Sequence, residues 1–492
     1  MFQTIQRPYF FILLSAFFIV LSLPPFSLSF LYWLGLSLFI LVMAYNFINH
    51  HRYYFFFFLI IQFLSLSWII QSFASGGWGY LILGILLIIL LASFIAFLNY
   101  LFIKLTLIFY HQSNLKYLLL PLSLSLVEIL KEFIFGGFPW SPAAIIYYKN
   151  LWILNFLPLT GVYGMGILIH LFIGLIIYLQ IVGKKKLSYL FSVFAFIIFT
   201  IGLFYNPPST ENNQKTLNIA LIQPNIYESL VQFDVLNNFE KYESLTLEAL
   251  KNNKNIDVII WPEGSLPIDL NNRPGLLSRV GNLIKDHQII ILGASAIEKN
   301  QLYNRLFVIN ADGDVIHYYD KQKLVLFGEY VPFIKPFISQ FLNLGMNYSP
   351  GLSQSILRLP KDVQAIPMIC FESIFNYKLI NQNICQTDLV IQISNDSWFG
   401  KWYGPKQHLA NSLLRSVEFQ KTLIRSTPSG ISAVINPSGV IEKSISNDQR
   451  NYLIYQHPIK ETLGYCHSKL LYSIVFLFLF FSGSYFYVRI KK

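Results

Sequence analysis

The sequence predicts a multi-span α-helical membrane bundle joined to one α/β extracytoplasmic domain. Three observations predict it. Of the 492 residues, 54% are hydrophobic and only 12% are charged, against roughly 25% charged in an ordinary soluble domain. The apolar residues are segregated: 8–205 is almost continuously apolar, while 206–468 alternates short β-rich runs with helical stretches. Lys and Arg gather mainly in every second connection between apolar runs, which is the asymmetry that orients a multi-pass chain. The same placement accounts for much of the formal net charge of +11 without nucleic acid as a partner.

Seven spans are read before residue 206, at roughly 8–23, 26–47, 53–73, 79–103, 117–134, 151–181 and 186–205, with an eighth near 469–488. A helix of about 20 apolar residues crosses a bilayer. The first run is short and Pro24-Pro25 separates it from the second, so 8–47 reads as a hairpin or as one broken span. No small-residue cleavage site follows it, which favours an uncleaved anchor over a signal peptide. Arg7, His50 to Arg52, Lys116, Lys184 to Lys186, and Arg489, Lys491 and Lys492 mark one side; the connections near 24–25 and 74–78 lack Lys and Arg, and 135–150 holds only Lys149. Both termini are then cytoplasmic. The expected division is a bundle over 1–205, a catalytic domain over 206–468 on the opposite side, and a closing span with a cytoplasmic tail over 469–492.

In the second region LNIALIQPNI (217–226), DVIIWPEG (257–264), IIILGASAI (289–297), VQAIPMICFES (363–373) and DLVIQISNDSW (388–398) read as strands, with helices at 238–252, 275–287 and 407–424. Asp312-Gly313 and Pro437-Ser438-Gly439 are hairpin turns. Strands alternating with helices argue α/β, and the hairpins argue a mixed sheet. About 240 residues suffice for one core.

Four stretches end apolar strands with reactive groups: IIWPEGSLP with Glu263, YYDKQKLVLFGEYVP with Lys321, Lys323 and Glu329, ICFES with Cys370 and Glu372, and ISNDSWFG with Asn395 and Asp396. Strand ends are where α/β sheets build sites. A thiol needs a base or a positive neighbour to react, and an ammonium stabilises both a thiolate and an oxyanion. Cys, Glu and Lys therefore make a complete acyl-transfer set. The competing reading is a Cys370 that only fills core space. Three cysteines make no disulfide framework, and Cys385 and Cys466 read as inert. No cysteine pair has zinc-ligand spacing, ADGD (311–314) is a turn rather than a calcium loop, and neither metal nor cofactor is expected.

WPE, then K-x-x-L-V-x-F-G-E, then C-F-E, then SNDSWFG, in that order, resembles the nitrilase superfamily. With the preceding spans, GGFPW (136–140) and the closing span, the chain is similar to the membrane-embedded branch of that superfamily, the apolipoprotein N-acyltransferases of bacterial envelopes. The resemblance implies a nitrilase-like αββα sandwich in the periplasm, carried by an inner-membrane protein. It implies Glu263 as general base, Cys370 as nucleophile, and Glu329, Glu372 and Phe371 in support. Strand periodicity does not separate Lys321 from Lys323, since residues two apart share a face. The family pattern, with its lysine eight residues before the glutamate of FGE, selects Lys321. Leu326 departs from that pattern, which usually has proline there, and should alter loop stiffness rather than chemistry. The implied reaction moves an acyl chain from a phospholipid, through a Cys thioester, to the N-terminal amine of a diacylglyceryl-cysteine lipoprotein. A membrane-anchored amidase that passes the acyl group to water is the alternative. The implied partners are a phospholipid donor, a diacylated apolipoprotein acceptor and the bilayer, with the protein a monomer.

Other signals are weaker. His408 suits a Cys–His pair or a plain helix-start histidine. Arg415 and Arg425 suit lipid phosphate, or pairing with Glu418 and other carboxylates. Glu128, Lys131 and Glu132 share a helix face in an apolar span, either as an internal ion pair or as a wall of a lipid-access cleft. The apolar stretch 327–351 reads as a lid over the site, or as a loop packed on the core.

Overall fold

The structure, a computed structural model, describes residues 8–47, 50–74, 78–203, 215–227, 234–326, 328–330, 347–352, 356–375 and 384–459. The expected closing span at 469–488 lies outside them, as do Cys466 and most of the stretch read as a lid.

The N-terminal region forms α1 (Pro8–Ser22), α2 (Phe30–Val42), α3 (His51–Leu66), α4 (Trp78–Phe109), α5 (Lys116–Leu130), α6 (Leu157–Ile181) and α7 (Lys185–Leu203). Each corresponds to one apolar run, with moved ends. The helix α4 continues to Phe109, beyond 103, and is about 48 Å long at 1.5 Å per residue. The helix α5 stops at Leu130, short of 134. The run 151–181 is interrupted: Leu151–Leu154 is one turn, and α6 starts at Leu157 with Gly161 in a non-helical conformation. Residues 8–47 form a hairpin in which α1 packs on α2. Gly35 allows that approach, since a Cβ there would lie 2.7 Å from the Ser15 carbonyl oxygen. Among the described residues, three stretches, Arg52–Phe73, Trp78–Phe109 and Leu157–Ile181, are long and apolar enough to cross a membrane. The outer faces of α4 and α7 leave Leu86, Leu90, Phe97, Tyr189, Val193 and Phe196 exposed.

The second region is a two-sheet sandwich. Its strands are β1 (Thr216–Gln223), β2 (Val258–Ile260), β3 (Leu266–Asp269), β4 (Ile289–Glu298), β5 (Gln301–Ile309), β6 (Val315–Asp320), β7 (Leu357–Arg358), β8 (Gln364–Ile369), β9 (Leu389–Ile393), β10 (Thr422–Ser426), β11 (Ser432–Ile435), β12 (Ile441–Ile445) and β13 (Asn451–Pro458). One sheet runs β13-β1-β2-β4-β5-β6 with β3 on β4, and the other runs β12-β11-β10-β9-β8-β7. Both mix parallel and antiparallel pairs, as the hairpins predict: β1, β2 and β4 are parallel, β8, β9 and β10 are parallel, and β5–β6 and β11–β12 are antiparallel.

Period-two alternation sorts the first sheet's side chains. Leu217, Ile219, Leu221, Val258, Ile260, Ile289 and Ile291 join the core shared with the second sheet. Ala220, Ile222, Ile259, Ile290 and Leu292 face the other way, onto Phe239, Tyr242 and Leu245 of α8 (Val235–Asn252) and Val280 of α9 (Pro274–Gly281). The far side is closed by α10 (Gly404–Phe419), whose Leu409, Leu413, Leu414 and Val417 belong to the same core as the second sheet and the N-terminal helices. The helix read at 407–424 is therefore too long: it ends at Gln420, which takes a left-handed conformation with φ 54°, and β10 begins at Thr422.

The N-terminal helices and the sandwich meet along α10. Gln407 accepts from Trp140 Nε1 (2.7 Å) and donates to the Pro24 carbonyl (3.2 Å). Glu418 Oε1 accepts from Val162 N (3.1 Å). Nearby, Ser72 Oγ donates to the Trp398 carbonyl (2.6 Å).

Candidate active site

Four strand ends converge. Glu263 follows β2, Lys321 follows β6, Cys370 follows β8, and Asn395 and Asp396 follow β9. Gly293 of β4 lets the Glu263 backbone come close, since a Cβ there would lie 2.6 Å from Glu263 Cα.

The centre is a buried ion cluster. Lys321 Nζ is 3.0 Å from Glu263 Oε1 and 2.8 Å from Glu329 Oε1. Burial works against the ammonium charge, but the Glu263 and Glu329 carboxylates outweigh it and hold the Lys321 pKa well above the ordinary value. Asn304, from the middle of β5, donates to both carboxylates at 2.8 Å. Asn395 N donates to Glu263 Oε2 (2.8 Å) and Val325 N to Glu329 Oε2 (2.8 Å). Every carboxylate oxygen in the cluster thus has a defined partner, which fixes the lysine at one point. Two of its three N–H groups serve Glu263 and Glu329, leaving one for another acceptor.

Cys370 is a free, buried thiol on a backbone with φ 51°. Burial pushes the thiol pKa up, the Glu263 charge adds to this, and Lys321 opposes it. The resting group is therefore a protonated thiol beside a carboxylate and an ammonium. Glu372 lies behind it and is fully buried. It accepts from Tyr319 OH (2.8 Å), Gln322 N (2.7 Å), Lys323 N (3.2 Å) and Ile369 N (2.7 Å), tying the Cys370 turn to the segment that carries Lys321. Phe371 stacks on Phe138 of the GGFPW stretch, with ring centroids 6.1 Å apart. Lys323 is apart from the cluster, its Nζ over the Phe375 ring at 5.2 Å.

The remaining signals resolve differently from one another. His408 does approach Cys370, but Nε2 meets the carbonyl oxygen (3.1 Å) while Nδ1 faces Asp396 Oδ1 (2.9 Å). Arg415 pairs with Glu418 (2.6 Å) and Arg425 with Asp396 (2.5 Å), so both arginines serve carboxylates. Among the described residues no ion pair joins Glu128 to Lys131. Glu128 instead accepts from Ala143 N (2.9 Å), and both side chains line a cavity with Gln62, Ser65, Asn99 and Trp140. Of the stretch read as a lid, Glu329, whose carboxylate is in the cluster, falls within the described residues. Asn304 carried no signal in the sequence: it is an uncharged residue in mid-strand.

Residues 15–175 match the family model described as the apolipoprotein N-acyltransferase N-terminal domain, and residues 218–462 match that of the carbon-nitrogen hydrolases. Among curated relatives, the apolipoprotein N-acyltransferase of Rhizobium rhizogenes (strain K84) is 29% identical over 354 residues, covering 68% of this chain and 66% of its own length, just under two thirds. The apolipoprotein N-acyltransferase of Wigglesworthia glossinidia brevipalpis is 27% identical over 401 residues, 78% of each chain. A solved CN-hydrolase superfamily protein from Xanthomonas campestris aligns at 19% identity and a TM-score of 0.39, covering 49% of this chain and 90% of that one.

Proposed function

We propose that the chain is a member of the apolipoprotein N-acyltransferase family and that it transfers a fatty acyl chain from a membrane phospholipid to the N-terminal amine of an S-diacylglyceryl-cysteine lipoprotein. The observation that carries this reading is the buried contact of Lys321 with Glu263 beside the Cys370 thiol.

Glu263 takes the Cys370 proton, and the thiolate attacks the ester carbonyl. Lys321 stabilises the oxyanion with its remaining N–H. As the tetrahedral species collapses, the C–O bond to glycerol breaks and the proton held by Glu263 passes to the leaving oxygen, releasing lysophospholipid. The acyl group is now a thioester on Cys370. The acceptor amine attacks it, Glu263 removes the amine proton, and the thiol leaves reprotonated with the amide formed. Glu329 and Asn304 hold Lys321 and Glu263 in place, and Glu372 and Phe371 support the Cys370 turn.

The apolar outer faces of α4 and α7 support a bundle embedded in lipid, since contiguous exposed apolar surface marks contact with a partner or a membrane. In this reading residues 1–205 form about seven spans, 469–492 add a closing span and cytoplasmic tail, and the domain over 206–468 stands in the periplasm above the inner membrane. Both substrates are lipids, and the bundle brings them to the site.

The test is intact-mass analysis after exposure to labelled phospholipid, with and without a diacylglyceryl-cysteine peptide. An acyl adduct on Cys370 that discharges onto the peptide is the expected result. Release of free fatty acid at the same rate with and without peptide would mean a hydrolase.

A further inference from the structure

A residue with a Cβ held at positive φ is strained and persists only where its surroundings over-determine it. At Cys370 they do so through the carbonyl oxygen, which accepts from Ser373 Oγ (3.2 Å), Gln392 Nε2 (3.1 Å) and His408 Nε2 (3.1 Å). The first donor is local to the turn and the second comes from the neighbouring strand β9. The third comes from α10 and plays no part in the acyl-transfer steps.

The ring of His408 is fully buried and fixed on every side. A carbonyl only accepts, so Nε2 carries a hydrogen. Nδ1 stands 2.9 Å from Asp396 Oδ1, and that carboxylate is itself held by Arg425 Nη2 at 2.5 Å and Ser394 Oγ at 3.0 Å. With its hydrogen on Nε2 the ring presents a lone pair at Nδ1, which accepts from Arg425 Nη2 at 3.2 Å. The ring packs beside Trp140 and Phe399, with centroids 5.7 and 5.2 Å away. Rotating the imidazole would break the contacts to both Arg425 and Cys370.

We propose that His408, oriented by Arg425 at Nδ1, is a positioning residue whose Nε2–H holds the Cys370 carbonyl and so keeps the thiol on its left-handed turn, aimed at Glu263 and Lys321. Its kinetic readout rests on the acyl-transfer reading; its chemical readout does not.

Two substitutions separate position from packing. His408→Gln places an amide N–H near the Nε2 point, while His408→Leu fills much of the same volume without a donor. Full-length protein in detergent is assayed twice. Alkylation by iodoacetamide is read on the Cys370 peptide, and kcat and KM are read for acyl transfer from phospholipid. A misplaced nucleophile costs about 10²-fold in rate, so that loss is expected in kcat for His408→Leu, with KM little changed and alkylation slowed in parallel. His408→Gln should recover most of both rates. Should His408→Leu fail to fold, His408→Asn, whose amide reaches Asp396 but not the Cys370 carbonyl, should show the same loss. Wild-type rates in the donor-less variant, or a glutamine variant no better than it, would overturn the proposal. If wild-type protein forms no acyl adduct from phospholipid, the acyl-transfer reading fails, and the alkylation comparison still decides the role of His408.

Discussion

Lys321 Nζ stands 3.0 Å from Glu263 Oε1, and the two side chains are only 1% and 8% exposed. A lysine this deep is tolerated because a second carboxylate, Glu329, also meets it, at 2.8 Å. Breaking a buried cluster of this kind is costly, since the partner left behind keeps its charge without compensation.

Replacing Lys321 with alanine should therefore reduce acyl transfer far more than replacing Lys323. Losing an oxyanion donor typically costs about 10²–10³-fold in kcat, whereas Lys323 lies over the Phe375 ring and is outside the cluster. Parallel kcat measurements on the two variants check this, and equal losses would mean that the chosen lysine is wrong.

Cys370→Ser should abolish turnover and leave the melting temperature close to wild type. The change removes the nucleophilic sulfur but little volume, and the turn is held by its carbonyl rather than by its side chain. Normal N-acylation by the serine variant would reduce Cys370 to a core residue.

Glu263→Gln should act in opposite directions on two assays. Losing the general base should cost about 10²–10⁴-fold in acyl transfer. Yet burial first, and the Glu263 charge second, raise the Cys370 thiol pKa, so removing that charge should lower it. Iodoacetamide should then alkylate Cys370 faster at pH 8 in the variant. In the wild type the alkylation rate should still be climbing well past the ordinary thiol value of about 8.5. A rate that falls with Glu263→Gln would contradict this electrostatic picture.

Asp396 should stabilise the fold in a defined pH window. Burial raises its pKa, but Arg425 and His408 outweigh burial and hold the carboxyl below its usual range. The folded value is depressed, so this stability is fully present above the unfolded value of about 3.9 and is lost as pH falls below it, toward the depressed folded value. Removing one partner of a buried pair costs about 3–5 kcal/mol. Melting curves of wild type and Asp396→Asn should differ most at pH 5 to 7 and converge under stronger acid.

Topology is open to a direct test. A reporter that works only in the periplasm should be active when fused after residue 300 and silent when fused after Lys185. The reverse pattern would mean a miscounted span, with the break at Pro24-Pro25 the first place to re-examine.

Strand ends were the legible part of the sandwich. Apolar runs that stop at Glu263, Cys370 or Asn395 announce themselves, because hydrophobicity and reactive chemistry change within a few residues. Pairings between distant segments leave no such mark. The strand β13 runs antiparallel to β1 across more than two hundred residues, and nothing in NYLIYQHP says which edge it joins. The end of α10 is not legible either, because a single left-handed residue, Gln420, stops the helix two residues before β10 begins at Thr422. Asn304 and the contact of His408 with Cys370 were not legible, since each depends on which segments the fold brings together.

The helix α10 is buried along nearly all its length; within it only Lys406 is exposed. Gln407 holds Trp140 and Pro24 while its neighbour His408 holds Cys370. Two consecutive residues thus join the N-terminal helices to the thiol turn, so the helical region supplies one wall of the catalytic half. Excising the sandwich as a water-soluble fragment would lay bare Leu409, Leu413 and the ring of His408, and the fragment should clump rather than report on the chemistry. Detergents that loosen the helices should switch the thiol off before the sheets melt.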